Sequence, residues 1–290
     1  MFKEYIKSVI PESIINFYHF KLGSGVKHAR LNNNAVAEYD LDQVPLFKSV
    51  EIETLNRCNG VCPFCPVNAN EKQRPYAKMT DELFKKIIDE LSEIEYAGIL
   101  SLYSNNEPFL DERIIEFHKY AREKVPKAEI VIFTNGSLLT VDKLIEILPY
   151  LDRMVIDNYN DDIELNANLV EVHDYVSKHK EASEKVFIDV RKQNEVRFSR
   201  GGQAPNKKKV KAIPVKCVLL FQQLIIRPDG KVSLCCNDAL GKYTLGDCNE
   251  QGLLEIWHSE EYKKVRESMK KNGRKQLMLC NACDTIGGIF

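Results

Sequence analysis

From residue 48 onward, short apolar runs alternate with stretches of helical period. The runs at 49–55, 98–103, 129–134, 153–157 and 186–190 read as buried strands, because a continuous apolar stretch of this length suits a strand covered on both faces. Between the first two, 80–94 sets Leu83, Ile87, Ile88 and Leu91 on one helical face, with Thr80 as N-cap. Helical stretches follow at 113–123, 141–148 and 165–178. Repeated strand–helix units predict a parallel sheet with right-handed crossovers. Such a sheet carries ligand chemistry at the C-terminal ends of its strands.

The alternation breaks at 200–214 (RGGQAPNKKKVKAIP), whose Gly, Pro and Lys content marks a loop or domain junction. Beyond it, 221–227 and 232–235 flank Pro228-Asp229-Gly230 and predict a hairpin. The stretches 253–257 and 261–270 read as helices. Ahead of the core, Ile6, Val9, Ile10, Ile14 and Ile15 are interrupted by Glu4, Pro11 and Glu12, which predicts a short amphipathic helix and no secretion signal. The division is a helical extension at 1–45, a core at 46–214 and a small hairpin-plus-helix domain at 215–290.

Composition narrows the class. A chain of 290 residues, 44% hydrophobic and 29% charged, suits a soluble globular protein with one large and one small domain. A net charge of −1 argues against a nucleic-acid or anionic-membrane partner. The basic run Lys207-Lys208-Lys209 with Lys211 reads as a solvated loop. No apolar window reaches the roughly 18 residues of a membrane span. Nine cysteines without a secretion signal point to a reducing, cytoplasmic compartment, where clustered thiols bind metal more often than they form disulfides.

Two cysteine sets carry the chemistry. Cys58, Cys62 and Cys65 form C-x3-C-x2-C at the end of the first strand. Three thiolates in one loop fill three corners of a cubane iron–sulfur cluster and leave one iron open to a small molecule. A zinc loop or three unrelated thiols are the alternatives. Cys217, Cys235, Cys280 and Cys283 form the second set, suited to a fully ligated cluster or a four-cysteine zinc site. Cys236, next to Cys235, is an alternative ligand. Cys248 is either a small buried hydrophobe or a hydrogen-atom donor.

The first motif, with Phe64 before its last cysteine, resembles the radical S-adenosylmethionine (radical SAM) superfamily. The resemblance covers roughly residues 48–285. It implies an α/β fold, a partial (β/α)6 TIM-like barrel, that binds a [4Fe–4S] cluster and S-adenosylmethionine. Ser104-Asn105-Asn106-Glu107-Pro108 stands in place of the family's G-G-E-P segment, with Glu107 meeting the cofactor's amino group. Asparagines replace both glycines, a departure that positive backbone angles tolerate at some cost. Asn135 belongs to the matching T-N-G, Asp157 stands at a ribose position, and Arg191 suits the carboxylate.

Cys217-x12-Gly230-x4-Cys235 with Cys280-x2-Cys283 resembles the twitch and SPASM auxiliary domains, which implies a second [4Fe–4S] cluster. The ligand spacings of 18, 45 and 3 resemble aminocyclitol dehydrogenases of the 2-deoxy-scyllo-inosamine dehydrogenase type. That resemblance implies hydrogen abstraction at a carbinol carbon of a sugar or aminocyclitol and oxidation to a ketone. The implied partners are a carbohydrate-like small molecule and a one-electron reductant such as flavodoxin or ferredoxin. Arg200 would hold the substrate oxygen or assist proton loss, unless it merely packs. Two other activities occur in such families: sugar epimerisation, with Cys248 as hydrogen-atom donor, and modification of a peptide or protein. Peptide-modifying members often carry a peptide-binding domain, for which a 45-residue extension is too short.

Overall fold

The computed structural model describes residues 26–207 and 210–287. The expected amphipathic helix around Ile6–Ile15, and Lys208 and Lys209 of the basic run, lie outside the described residues.

All five expected core strands form. They are β1 (Ser49–Ile52), β2 (Ile99–Ser101), β3 (Glu129–Thr134), β4 (Arg153–Tyr159) and β5 (Val186–Arg191). Each pairs in parallel with the next. The expected hairpin also forms, from β6 (Gln223–Ile226) and β7 (Lys231–Ser233), and continues into β8 (Thr244–Asp247). The hairpin does not stand apart from the core. β6 pairs in parallel with β1, in the register Ser49↔Gln223 to Ile52↔Ile226. One sheet therefore runs β5-β4-β3-β2-β1-β6-β7-β8 among the described residues. Six parallel strands are present, and the sixth comes from the C-terminal segment and lies on the β1 flank.

Helices cover the sheet: α1 (Val26–Glu38), the single turn α2 (Pro66–Ala69), α3 (Asp81–Glu93), α4 (Ile114–Lys124), α5 (Val141–Ile147), α6 (Ala167–Lys178) and α7 (Lys180–Lys185). α3 starts where expected, since Thr80 Oγ1 accepts from the Leu83 N–H at 3.2 Å. It buries Leu83, Phe84, Ile87, Ile88 and Leu91. Phe84 stacks on Phe117 of α4 at 3.9 Å between ring centres. In the C-terminal segment, α8 (Leu253–Trp257) and α9 (Glu260–Asn272) pack onto the same core. The Arg266 guanidinium lies over the Trp257 and Tyr262 rings, at 4.1 and 4.5 Å, and donates to the carbonyls of Leu220 and Trp257. No helix among the described residues is long and apolar enough to cross a membrane.

β1 stops at Ile52 because the chain then turns into the cysteine loop. A buried ion pair fixes that turn. Arg74 Nη2 meets Glu53 Oε1 at 2.7 Å, with the two side chains only 6% and 2% exposed. Arg74 also donates to the Asn105 carbonyl at 3.0 Å, so it ties β1, the segment after α2 and the loop after β2 together. Arg74→Met leaves the Glu53 carboxylate buried without its partner. Chemical denaturation of the metal-free protein is expected to show a loss of about 3–5 kcal/mol, much of it recovered in the Glu53→Gln/Arg74→Met double variant.

Candidate active site

The cysteine loop leaves β1 at the C-terminal edge of the sheet. Cys65 N–H donates to the Cys62 carbonyl at 3.0 Å, and Gly60 N–H points at Cys58 Sγ at 3.3 Å. Pro66 then opens α2 at a position where its missing N–H costs nothing. Burial, reinforced by neighbouring negative groups, pushes the Cys58 thiol up to about 11 and the Cys62 thiol up to about 12. Loading iron onto these thiols therefore releases protons.

Glu107 lies behind this loop, only 1% exposed. Its carboxylate accepts from Thr134 Oγ1 at 2.7 Å, Asn135 N–H at 2.8 Å and Phe109 N–H at 3.2 Å. Burial raises its pKa, and these bonds oppose the rise. A carboxylate has about four acceptor positions, so one remains for an ammonium group. Asn135 in turn donates to Asn59 Oδ1 at 2.9 Å and lies 3.8 Å from Cys58 Sγ, linking the end of β3 to the cysteine loop. Gly136 holds φ at +72°, where a Cβ would come within 2.7 Å of Ile156, so this turn needs its glycine.

The asparagines that stand for glycines do not occupy positive φ angles; Asn105 and Asn106 are absent from the positive-φ residues. Asn106 Oδ1 instead accepts from Ser104 N–H at 3.0 Å. Its buried Nδ2 has no hydrogen-bond partner within the protein, an orphaned donor that fits a bound polar cofactor. Asp157 and Arg191, expected to meet different parts of that cofactor, pair with each other, Nε to Oδ1 at 3.2 Å. Arg191 also contacts Asp189.

Phe64 lies 5.3 Å from the Tyr159 ring, and the Arg197 guanidinium lies 5.5 Å from the Phe64 ring centre. Phe64 forms one wall of a cavity of about 330 Å³. Glu51, Tyr103, Ser104, Gln223, Arg200 and Cys236 line it as well. Glu51 accepts from Ser104 Oγ at 2.6 Å and from Gln223 Nε2 at 2.8 Å. Burial raises its pKa to about 7, with Arg200 opposing the rise and Glu53 adding to it. Arg200 donates to Asn105 Oδ1 and, at 2.9 Å, to the Cys236 carbonyl. Its φ of +50° is followed by +61° and +79° at Gly201 and Gly202. A Cβ on Gly201 would meet Leu279 at 2.5 Å, so this left-handed run depends on glycine.

The second cysteine set also converges. Cys217, Cys235, Cys280 and Cys283 line one cavity together with the buried Arg274. Among the described residues no three His, Cys, Asp or Glu side chains are close enough to share a single ion. Arg274 supplies a positive charge to balance a thiolate set. Four thiolates are the donor set of a fully ligated [4Fe–4S] cubane. Cys235 faces this space, whereas Cys236 faces the larger cavity. Leu219, Asn237 and Thr285 line both.

Cys248 requires a correction. The structure does not bring it to either cavity. It is 1% exposed in the core, its N–H bonded to the Gly230 carbonyl and its own carbonyl to Lys86. Burial alone explains it. Sequence reasoning missed Glu51, Tyr103, Gln223 and Arg197 as cavity residues. The available signal for Glu51 was a carboxylate inside an otherwise apolar strand.

Comparison with known proteins accounts for both sets. Residues 52–212 match the radical SAM superfamily, and 217–284 match SPASM, an iron–sulfur cluster-binding domain. The chain belongs to the radical SAM superfamily. Radical SAM proteins use S-adenosylmethionine with a [4Fe–4S] cluster, and SPASM domains bind additional clusters. A curated relative, the S-adenosyl-L-methionine-dependent 2-deoxy-scyllo-inosamine dehydrogenase of Niallia circulans, is 26% identical over 243 residues, 83% of this chain and 94% of its own. The crystal structure of BtrN in complex with AdoMet and 2-DOIA superposes with a TM-score of 0.72 at 25% identity, covering 84% of this chain and 95% of that one. Streptococcus suis SuiB bound to the precursor peptide SuiA shares the fold, with a TM-score of 0.61 at 15% identity over 89% of this chain and 73% of that one.

Anaerobic reconstitution is expected to load about eight irons per chain, the content of two cubanes. Replacing Cys58, Cys62 and Cys65 together by Ala should leave about four. Stoichiometric zinc at the C-terminal thiols would contradict the second cubane.

Proposed function

We propose that this radical SAM protein removes hydrogen from a carbinol carbon of an aminocyclitol or related sugar and oxidises it to the ketone. The observation that carries this reading is the position of the cavity. Phe64 brings the cysteine loop to one side of it, and Leu219, Asn237 and Thr285 separate it from the four-thiol cavity on the other. A space of about 330 Å³ suits a small molecule. The dehydrogenase relative and the BtrN structure support the same substrate class.

In this reading Cys58, Cys62 and Cys65 hold the catalytic cluster. Ser104, Asn106, Glu107, Asn135 and the Asp157–Arg191 pair surround S-adenosylmethionine, with Phe64 between cofactor and substrate. Cys217, Cys235, Cys280 and Cys283 hold the auxiliary cluster. When bound, these groups supply a 5′-deoxyadenosyl radical for C–H cleavage and an acceptor for the second electron. The protein's own part is to place the alcohol and take its proton. Arg200 offers its guanidinium to the substrate oxygen and stabilises negative charge there. Glu51, held near neutral pKa, accepts the proton. The charged and titratable groups around Glu51 are Arg200, Glu53, Tyr103 and Cys236. The first electron comes from a flavodoxin- or ferredoxin-like carrier in the reducing cytoplasm, where the cysteines do not form disulfides.

The test uses 2-deoxy-scyllo-inosamine deuterated at its carbinol carbons. Ketone should form one-to-one with 5′-deoxyadenosine carrying the substrate deuterium. Glu51 must be ionised to act as base, so the rate should rise with pH through about 7, and Glu51→Gln should remove that limb. Cofactor cleavage without ketone, or a flat pH profile for the unaltered protein, would count against the reading.

A further inference from the structure

The two thiol sets stand among charges of opposite sign. In the cysteine loop, the carboxylates of Glu107 and Asp157 act on Cys58 and Cys62. The C-terminal set shares its cavity with a guanidinium. Arg274 is 3% exposed and lines that cavity with Cys217, Cys235, Cys280 and Cys283. The groups that favour its charge are Cys217, Cys283 and Cys280. An arginine keeps its proton when buried, so this charge is permanent. Asp238 acts on Cys280 in the opposite sense, but its carboxylate is taken up by the Lys242 and Tyr243 N–H groups at 2.8 and 2.9 Å.

Arg274 cannot swing away. Nε donates to the Val215 carbonyl at 2.6 Å, Nη1 to the Cys283 carbonyl at 3.4 Å and Nη2 to the Thr285 carbonyl at 2.7 Å. The guanidinium is thus tied to the segments that carry the first and the last thiol of the set. Thr285 also lines the cavity beside Glu51 and Arg200, so Arg274 holds part of the wall that the two cavities share.

A cubane held by four thiolates is anionic and gains one more negative charge on reduction. A fixed cation in a buried cavity stabilises the reduced form more than the oxidised one, and so raises the reduction potential. Carboxylates beside the cysteine loop act in the other direction. We infer that Arg274 makes the auxiliary cluster the electron acceptor of the oxidation, by raising its reduction potential above the value that four thiolates alone would give. The inference rests on the reading of the larger cavity as the site of carbinol oxidation. There the carbinol C–H hydrogen leaves in 5′-deoxyadenosine. The carbon radical then loses one electron and its hydroxyl loses a proton, so that the C–O bond becomes C=O. Glu51 takes the proton. The electron crosses the shared wall to the auxiliary cluster and leaves on the oxidised form of the one-electron carrier. Arg274 exchanges no atom in this step and acts as a positioning residue.

Film voltammetry of the full-length, anaerobically reconstituted protein tests this without turnover. The Cys58→Ala/Cys62→Ala/Cys65→Ala variant identifies the auxiliary wave. Arg274→Gln should lower that potential by about 59 mV or more, the equivalent of a tenfold change in a one-electron couple, and leave the wave of the cysteine-loop cluster in place. Arg274→Lys keeps the charge without the fork and should stay near the unaltered value. An unmoved auxiliary potential in Arg274→Gln, or an equal fall in Arg274→Gln and Arg274→Lys, would overturn the inference. Iron content covers the case of a variant that does not load. If Arg274→Lys takes up the second cluster and Arg274→Gln does not, the anionic set needs the charge, which upholds the inference. If neither takes it up, the fork acts through its hydrogen bonds, which overturns it.

Adding S-adenosylmethionine, dithionite and 2-deoxy-scyllo-inosamine separates this inference from the reading beneath it. In Arg274→Gln, 5′-deoxyadenosine should still form, while ketone per 5′-deoxyadenosine falls about tenfold or more, in step with the couple. A lowered potential with an undiminished ketone yield would overturn the acceptor role and leave oxidation standing. No ketone from the unaltered protein, with the potential still following the charge, would remove the oxidation reading and uphold the effect of Arg274 on the cluster.

Discussion

The pairing of β1 with β6 is the constraint on which the rest of the molecule depends. β1 leads into the cysteine loop, and β6, 174 positions away in register, leads through a hairpin to Cys235 and Cys236. The backbone bonds begin at the start of the strands, where Lys48 and Ser49 N–H both reach the Gln222 carbonyl at 2.7 and 3.0 Å. They continue past β1, where Glu53 N–H meets the Ile226 carbonyl at 2.9 Å. Across the same pair, Gln223 binds Glu51. This seam brings the two thiol sets to opposite sides of one cavity. Without it, the four-thiol segment would be a separate appendage and the cavity would have one wall fewer.

Three carboxylates lie close to that seam, and each meets burial differently. Glu53 takes an ion pair with Arg74. Glu107 is satisfied by three hydrogen bonds, two from the end of β3 and one from the Phe109 N–H beside it in its own loop. Glu51 has two neutral donors and a more distant guanidinium, which leaves its proton affinity high. The first two arrangements fix loops. The third leaves a group that changes charge near neutral pH inside the cavity, which is where perturbed groups with chemical roles are found.

Much of the fold was legible in the sequence, because fully buried parallel strands read as unbroken apolar runs. The two cysteine sets were legible from their spacing. What was not legible depended on contacts between distant segments. Nothing local to 221–227 says that it pairs with β1, and β8, with the sequence TLGD, has no apolar run to announce it. Asp157 and Arg191 looked like two independent cofactor contacts. The β4–β5 register pairs Arg191 with Tyr159, which makes Asp157 its diagonal neighbour, and the two charges meet. In sequence Cys236 reads as an alternative auxiliary ligand, and Cys248 as a small buried hydrophobe or a hydrogen-atom donor. Only the turn after β7 shows that Cys235 and Cys236 face opposite ways, and only the packing of β8 against the core shows that Cys248 faces neither cavity.

The central claim is that a small alcohol is held between two thiol-bound clusters. An anaerobic crystal structure of the loaded protein with S-adenosylmethionine and 2-deoxy-scyllo-inosamine tests it most directly. The account predicts the cyclitol inside the cavity, in contact with Arg200 and Glu51, with iron–sulfur clusters on both sides. A cyclitol seated elsewhere, for example in the groove beside Arg227 and Asp229, or a zinc ion held by Cys217, Cys235, Cys280 and Cys283, would contradict it.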